Sequence, residues 1–276
     1  MIKQAIIPLA GLGTRLLPLT SVFAKELLPI NGKPGLEYIL DECIEAGIKE
    51  VVFIISKKKM MIKKYFYNDK FYKDIIKKKG DPKIIKEYKK ILKYKKMIKF
   101  VFQDKPLGTG DAVYKTKKFI TDKYFLMLLP DDLIIKKNCS KSMIAVHNKF
   151  KASVMASMKV NKNDVSRWGI YNIRKKIDKN NFIINNVVEK PSIKTSPSNN
   201  AVIGRYILPK TIFSKLKSLK PGKSGEFHIT DAIQALIEDD NQFIGHNFSG
   251  KYLDCGTMKG YIKSTLEISK QWNFAW

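Results

Sequence analysis

A chain of 276 residues is long enough for one large core or two modest ones, and 44% hydrophobic with 11% aromatic residues excludes a disordered chain as the default. The formal charge of +27 comes from 48 lysines and only four arginines, at 15, 167, 174 and 205, against 25 acids. Proteins that read bases and phosphates lean on arginine's bidentate fork, so the excess reads as a solvated lysine surface ahead of a nucleic-acid footprint, the alternative from another functional class.

Gln4 to Ala10 is a short continuous apolar run ending in Gly-Leu-Gly, the pattern of a strand buried on both faces. Leu36, Ile39, Leu40, Cys43 and Ile44 recur at helical spacing, with Gly47 just past the helix end. "EVVFIIS" at 50–56 makes a second buried strand, and strand, helix and strand together compose a βαβ unit with a parallel pair. A lysine-rich stretch over 57–97, punctuated by Gly80-Asp81-Pro82, leads to a strand at 98–103. A Gly-rich turn, a helix from about Asp111 to Phe119 and a strand within "YFLMLLPDD" at 124–132 follow. The alternation predicts an open α/β sheet, in which ligands gather at the carboxyl ends of strands; here those ends are Ala10, Gln103 and Asp131.

From Ala152 the texture changes to shorter strands, "ASVMASMKV", "GIYNI" and "FIINNVVEKP", separated by polar turns such as Asp178-Lys179-Asn180-Asn181. "AVIGRYILP" reads as a strand, Thr230 to Glu238 as a helix introduced by "PGKSGEFHITD", and about Met258 to Gln271 as a final helix. The fold class is α/β, an open mixed sheet flanked by helices with a small antiparallel lobe. Residues 1–276 form a single domain, with 1–150 as its first part and 151–276 as its second.

"GLGTRL" supplies two glycines of a dinucleotide fingerprint, but Leu16 stands where the third belongs and no Walker Gly-Lys-Ser/Thr follows. What survives is a Gly-rich loop at a strand end, with Arg15 and Lys25 as charged neighbours of any phosphate it holds; a plain tight turn is the competing reading. "PLGTGDAV" at 106–113 is a second such turn ahead of a helix. Asp131 and Asp132 end the most apolar strand, and carboxylates without nearby histidine suit Mg²⁺, which commonly arrives with substrate phosphates. Asp254 in "LDCGT" offers another carboxylate, while Glu189 and Lys190 in "VVEKP" pair an acceptor with a point charge at a strand end. Histidines 147, 228 and 246 have neither metal spacing nor a nucleophile to activate, which suits a reaction whose nucleophile is already an anion. Three cysteines without a paired spacing, and no apolar run near membrane-spanning length, point to a cytoplasmic protein without a membrane partner.

In order and wording, "PLAGLGTRLLPLTSVFAKELLPINGKP", "PLGTGDAV", "LLPDD", "VVEKP", "SNNAVIGRYIL", "GEFHITDAI" and "LDCGTMKGY" resemble the bacterial sugar-1-phosphate nucleotidyltransferases. Within that family the resemblance is to the UTP–glucose-1-phosphate uridylyltransferases, and it covers nearly the whole chain. It implies a nucleotidyltransferase-type Rossmann-like fold and a reaction in which UTP and glucose 1-phosphate give UDP-glucose and pyrophosphate. It further implies that Ala10, Gly11, Gly13 and Gly108 lie against the nucleotide, Arg15 and Lys25 face its triphosphate, and Gln103 reads uracil. Asp131 and Asp254 match Mg²⁺ ligands, Gly169 and Glu189 match glucose-binding residues, and Lys190 matches a sugar-phosphate ligand. The catalytic group is then Arg15, Lys25, Asp131 and Lys190, in a homo-oligomer, dimer or tetramer, with no specific nucleic-acid partner. A thymidylyltransferase and a non-catalytic regulatory relative remain as alternatives, and "RWGIY" departs from the usual pattern by placing Trp168 before Gly169.

Overall fold

The computed structural model describes residues 1–222 and 225–270, and in it the N-terminal apolar run is strand β1 (Gln4–Pro8). A loop with three single-turn 3-10 helices and a small ribbon, β2 (Pro29–Ile30) and β3 (Lys33–Pro34), lead to helix α1 (Gly35–Glu45). The turn after α1 uses Gly47 at φ +86°, and β4 (Glu50–Ile55) returns parallel to β1, so the βαβ unit forms as its pattern requires. The lysine-rich stretch becomes α2 (Met60–Tyr67), α3 (Asp69–Lys79) and α4 (Pro82–Met97). Asp81 caps α4 by accepting from the Lys83 N–H, with Pro82 in the first turn. None of α3 is buried, whereas α4 inserts Ile91, Tyr94 and Met97, so the lysines of these helices form the solvated side of an amphipathic layer.

Strand β5 (Ile98–Phe102) extends the parallel set beside β4, and β6 (Tyr124–Leu128) lies on the other side of β1. Between them, α5 (Thr109–Tyr114) starts and stops earlier than the span Asp111 to Phe119 suggests. The Thr116 hydroxyl turns back onto the Val113 carbonyl, and residues 115–119 continue as turns. The chain then runs through β7 (Asp132–Ile135), α6 (Cys139–Phe150), β8 (Ser153–Lys159), β9 (Gly169–Lys176) and β10 (Asn181–Glu189). It finishes with β11 (Asn200–Pro209), α7 (Ile212–Ser218), α8 (Ile229–Glu238), β12 (Phe243–Asn247), β13 (Lys251–Asp254) and α9 (Met258–Ser269). Gln271, Lys223 and Ser224 lie outside the described residues.

Among the described residues nine strands make one mixed sheet in the order β5-β4-β1-β6-β11-β8-β12-β10-β9. Ten-residue β11 runs antiparallel to both β6 and β8 and joins the parallel half to the later strands. The antiparallel lobe is the β9–β10 hairpin, whose turn is closed by Asp178 accepting from the N–H groups of Asn180 and Asn181. Alternation along the strands sorts the core: Ala5, Ile7, Phe53 and Ile55 pack on one face, Ile6, Val52 and Ile54 on the other. That double burial is why these strands read as unbroken apolar runs.

One polar group crosses this core. Arg205 of β11 has no solvent exposure, and its Nε and Nη2 donate to the Glu42 carboxylate of α1, Nη2 at 2.8 Å. Its remaining hydrogens go to the carbonyls of Leu129, Gly204 and Asp132, so the clamp fixes the segment just beyond β6. Glu42 also accepts from the Ser140 N–H and hydroxyl. Cys43, Cys139 and Cys255 are free thiols, and no helix among the described residues is long and apolar enough to cross a membrane.

Candidate active site

The carboxyl ends of β1, β5 and β6 open into a cleft of 510 Å³. Of the residues singled out from sequence, Ala10, Gly11, Gly13, Lys25, Gln103, Gly108 and Asp131 all line it. The three strand ends meet because β4, β1 and β6 are parallel neighbours with β5 beside β4, so their loops emerge on one edge of the sheet. Gly13 adopts φ +70°, turning the loop so that the Thr20 hydroxyl reaches its carbonyl.

Lys25 Nζ lies 2.8 Å from Asp131 Oδ2, and Arg15 Nη2 reaches the same oxygen at 3.4 Å. Burial works to raise the Asp131 carboxyl, but the charge and hydrogen bond of Lys25, with Arg15 behind them, hold it below the usual carboxylate range. Burial likewise works against the Lys25 ammonium, yet Asp131 and Glu26 keep it above its ordinary value. The pair therefore stays charged in a place that would neutralise either member alone. Glu26 is itself buried and holds both its oxygens 2.8 Å from Lys59 Nζ, a second ion pair beneath the first. Sequence reasoning missed Lys59, which sits in a run of three lysines with nothing local to distinguish it.

Asp254 joins Asp131 through tertiary structure. Strands β7 and β13 pair antiparallel with Asp254 opposite Asp132, and the Cys255 N–H donates to the Asp131 carbonyl at 2.8 Å. A methyl group placed on Gly256 would meet Asp131 Oδ2 at 2.8 Å, Arg15 Nη2 at 2.9 Å and Asp254 Oδ1 at 3.2 Å, so both carboxylates border one small volume. Two carboxylates suffice for Mg²⁺, which keeps water and substrate oxygens in its other positions, so the donors fit that ion. Among the described residues no group of three or more carboxylate, thiol or imidazole side chains is gathered for a metal.

Neighbouring Asp132 plays a different part. Its oxygens accept from the Tyr252 hydroxyl at 2.7 Å and the Gly204 N–H at 2.8 Å, and burial with the charge of Asp131 raises its carboxyl to about 6. Tyr252 packs edge-on against Trp168, whose successor Gly169 stands opposite Glu189 in the β9–β10 ladder. Gly169, Glu189 and Lys190 are thus together at one strand end, but they do not line the first cleft. Lys190 lies 3.9 Å from Glu189, and both are largely exposed. Asp254, Trp168 and Tyr252 line a second cleft of 630 Å³, so Asp131 and Asp254 stand where the two concavities approach each other.

Gly108 is at φ +95°, and an added Cβ would lie 2.5 Å from the Phe227 carbonyl oxygen and 2.9 Å from its nitrogen. Both contacts are backbone, so they cannot yield as a side chain would. Gly108→Ala is expected to cost on the order of 2 kcal/mol and to lower the thermal midpoint by roughly 5 °C. A melting curve superimposed on that of the parent protein would contradict this account of the turn. Phe227 belongs to the segment that also brings Glu226 and His228 to the cleft wall, residues whose place there no spacing in the sequence announced.

The Nucleotidyl transferase family matches residues 4–271. A protein of Methanocaldococcus jannaschii called a putative UTP–glucose-1-phosphate uridylyltransferase is 35% identical over 271 residues, 98% of this chain and 94% of its own length. A UDP-glucose pyrophosphorylase crystallised with UDP-glucose superposes with a TM-score of 0.86 at 33% identity, covering 99% of this chain and 100% of that one. A UTP-bound UGPase from Acinetobacter baumannii reaches a TM-score of 0.90 at 30% identity, covering 99% and 95%. With its cleft at the strand ends and its family match running almost from end to end, the chain belongs to the nucleotidyl transferase family.

Proposed function

We propose that this chain transfers the uridylyl group of UTP to glucose 1-phosphate, giving UDP-glucose and pyrophosphate. Relatives bearing that activity in their names align over nearly its whole length. The observation that carries the reading on physical grounds is the buried Lys25–Asp131 pair, with Arg15 on the same oxygen and Asp254 bordering the same volume. The arrangement supplies fixed charge of both signs, as suits two anions that must meet.

In the reaction, an oxygen of the sugar phosphate attacks the α-phosphorus of UTP. The bond from that phosphorus to the oxygen bridging the β-phosphate breaks, and pyrophosphate departs with the electron pair. Arg15 and Lys25 face the triphosphate and stabilise its charge, Ala10, Gly11, Gly13 and Gly108 give backbone contacts, and Gln103 reads the base. Gly169 and Glu189 hold glucose and Lys190 its phosphate. Mg²⁺, with Asp131 and Asp254 as its ligands, would neutralise phosphate charge when bound. In this reading one domain does the work, with 1–150 serving the nucleotide and 151–276 the sugar phosphate. It includes a cytoplasmic homo-oligomer, dimer or tetramer, for which light scattering is the check.

The test is pyrophosphate release from glucose 1-phosphate with UTP, dTTP, CTP, ATP and GTP, each with Mg²⁺ and with excess EDTA. Metal-dependent turnover strongest with UTP is the expected result. A preference for dTTP would move the assignment to the thymidylyltransferase, and silence with every nucleotide from folded protein would leave the regulatory relative.

A further inference from the structure

Gln103, which follows β5, is 5% exposed and lines the first cleft. Its amide is already half committed. Nε2 donates to Asp111 Oδ2 at 2.8 Å and to the Gly108 carbonyl at 3.1 Å, so both hydrogens of the amide are spent on groups that can only accept. The Asp111 side chain is mostly buried, stands in the first turn of α5, and has Lys115 3.6 Å from its other oxygen. A carboxylate has no hydrogen to give. Rotating the Gln103 amide by a half turn would set Oε1 against the Asp111 oxygen and the Gly108 carbonyl, three acceptors facing one another. The orientation is therefore dictated by chemistry: Oε1 is the atom of this amide left to bond a ligand.

The surroundings say what kind of ligand. Near Gln103 the cleft wall includes Pro106, Gly108, Thr109 and Ala112, with Glu226 beside Gly108, and it holds no lysine or arginine, while the cations Lys25 and Arg15 gather beside Asp131. A nucleotide entering such a cleft puts its triphosphate toward the cations and its base against the wall away from them. A pyrimidine there meets an acceptor that cannot turn into a donor. With its N3 edge turned to Oε1, uracil or thymine gives N3–H, whereas cytosine in the same pose turns a lone pair to it and must shift to offer its exocyclic amine instead.

We propose that Asp111 is a specificity-determining positioning residue: by holding the Gln103 amide in one orientation it makes the cleft accept uracil-type pyrimidines and refuse cytosine. The inference rests on the uridylyl-transfer reading for the ligand's identity, but its own readout is binding, which needs no turnover. Asp111 itself does not line the cleft. Its loss should change which base is preferred without abolishing the chemistry.

The experiment measures calorimetric affinity for UTP and CTP with Mg²⁺ and no sugar phosphate, in the parent chain and in Asp111→Ala, with Gln103→Ala as the limit and Lys115→Ala as a control for general damage to α5. In the parent, UTP should bind at least about 100-fold more tightly than CTP, because a misdirected buried acceptor is costly. In Asp111→Ala the ratio should fall at least about tenfold, through tighter CTP binding as well as weaker UTP binding. Lys115→Ala should keep the parental ratio. If Asp111→Ala does not fold, Asp111→Asn decides, since its amide can offer N–H and permit the flipped Gln103; its ratio should fall by a smaller factor. An unchanged ratio in the variant that folds, or no preference for UTP over CTP in the parent, overturns the inference. Base preference without pyrophosphate release would instead uphold Asp111's role and remove the catalytic reading, so the two failures are distinct.

Discussion

Replacing Asp131 with asparagine is expected to lower UDP-glucose-forming turnover by roughly 10²- to 10³-fold, the usual loss when one preorganised charge is removed from a buried site. The reason lies in the pairing. Asp131 keeps Lys25 charged at 2.8 Å, holds Arg15 on the same oxygen, and borders with Asp254 the volume suited to a divalent ion. Asparagine retains the shape and removes the charge, so the cations lose their counterweight and the proposed Mg²⁺ site would lose a ligand. Two signatures separate this from simple unfolding. The Mg²⁺ concentration needed for half-maximal rate should rise, and the circular dichroism spectrum should stay that of the parent. Lys25→Ala should be about as harmful but without the change in metal requirement, because the role proposed for Lys25 is on the phosphates. Near-normal turnover in both variants would remove the site assignment.

The largest stability effect should come from the Glu42–Arg205 pair, whose members are 163 residues apart in sequence. Glu42→Ala leaves a guanidinium with no solvent exposure and without the carboxylate it bonds, a situation that costs about 3–5 kcal/mol. For a chain of this size that corresponds to a fall of roughly 10 °C in the melting midpoint. Arg205 also bonds the carbonyls of Leu129 and Asp132, which flank the segment carrying Asp131. Activity should therefore decline at temperatures below the global transition. Glu42→Leu combined with Arg205→Met, which removes both charges, should recover part of the loss, as apolar replacements of buried ion pairs commonly do. A midpoint within about 1 °C of the parent's in Glu42→Ala would show that the pair does not hold the core together as its burial implies.

Sequence by itself determined the parallel half of the sheet and its ligand-binding edge. β1, β4 and β6 are apolar on both faces because helices cover both sides, and a run that must be apolar everywhere is visible without knowing its neighbours. The place of Gly11, Gly13, Gly108 and Asp131 on the cleft was legible for a related reason: strand ends in such sheets are where ligands go, and each residue's place depends on its own strand; Asp132, read beside Asp131, instead turns to Tyr252 and Gly204. The end of α5 was less so, since helical periodicity carries through Phe119 while the Thr116 hydroxyl and the turns around it compete locally with the helix.

Only the tertiary structure decided the rest. That Asp254 meets Asp131 follows from the pairing of β7 with β13, two four-residue strands distant in sequence, and no periodicity encodes a partner. Glu42 and Lys59 have the composition of solvated surface, and each is buried because another element supplies its counterion. Asp111 has the look of an ordinary helix-start acid until the turn at Gly108 brings Gln103 onto it. Local pattern reports how a segment meets water, so it reveals strands, helices and turns. Charge pairing and convergence on a ligand depend on distances between segments, which exist only once the whole chain has packed.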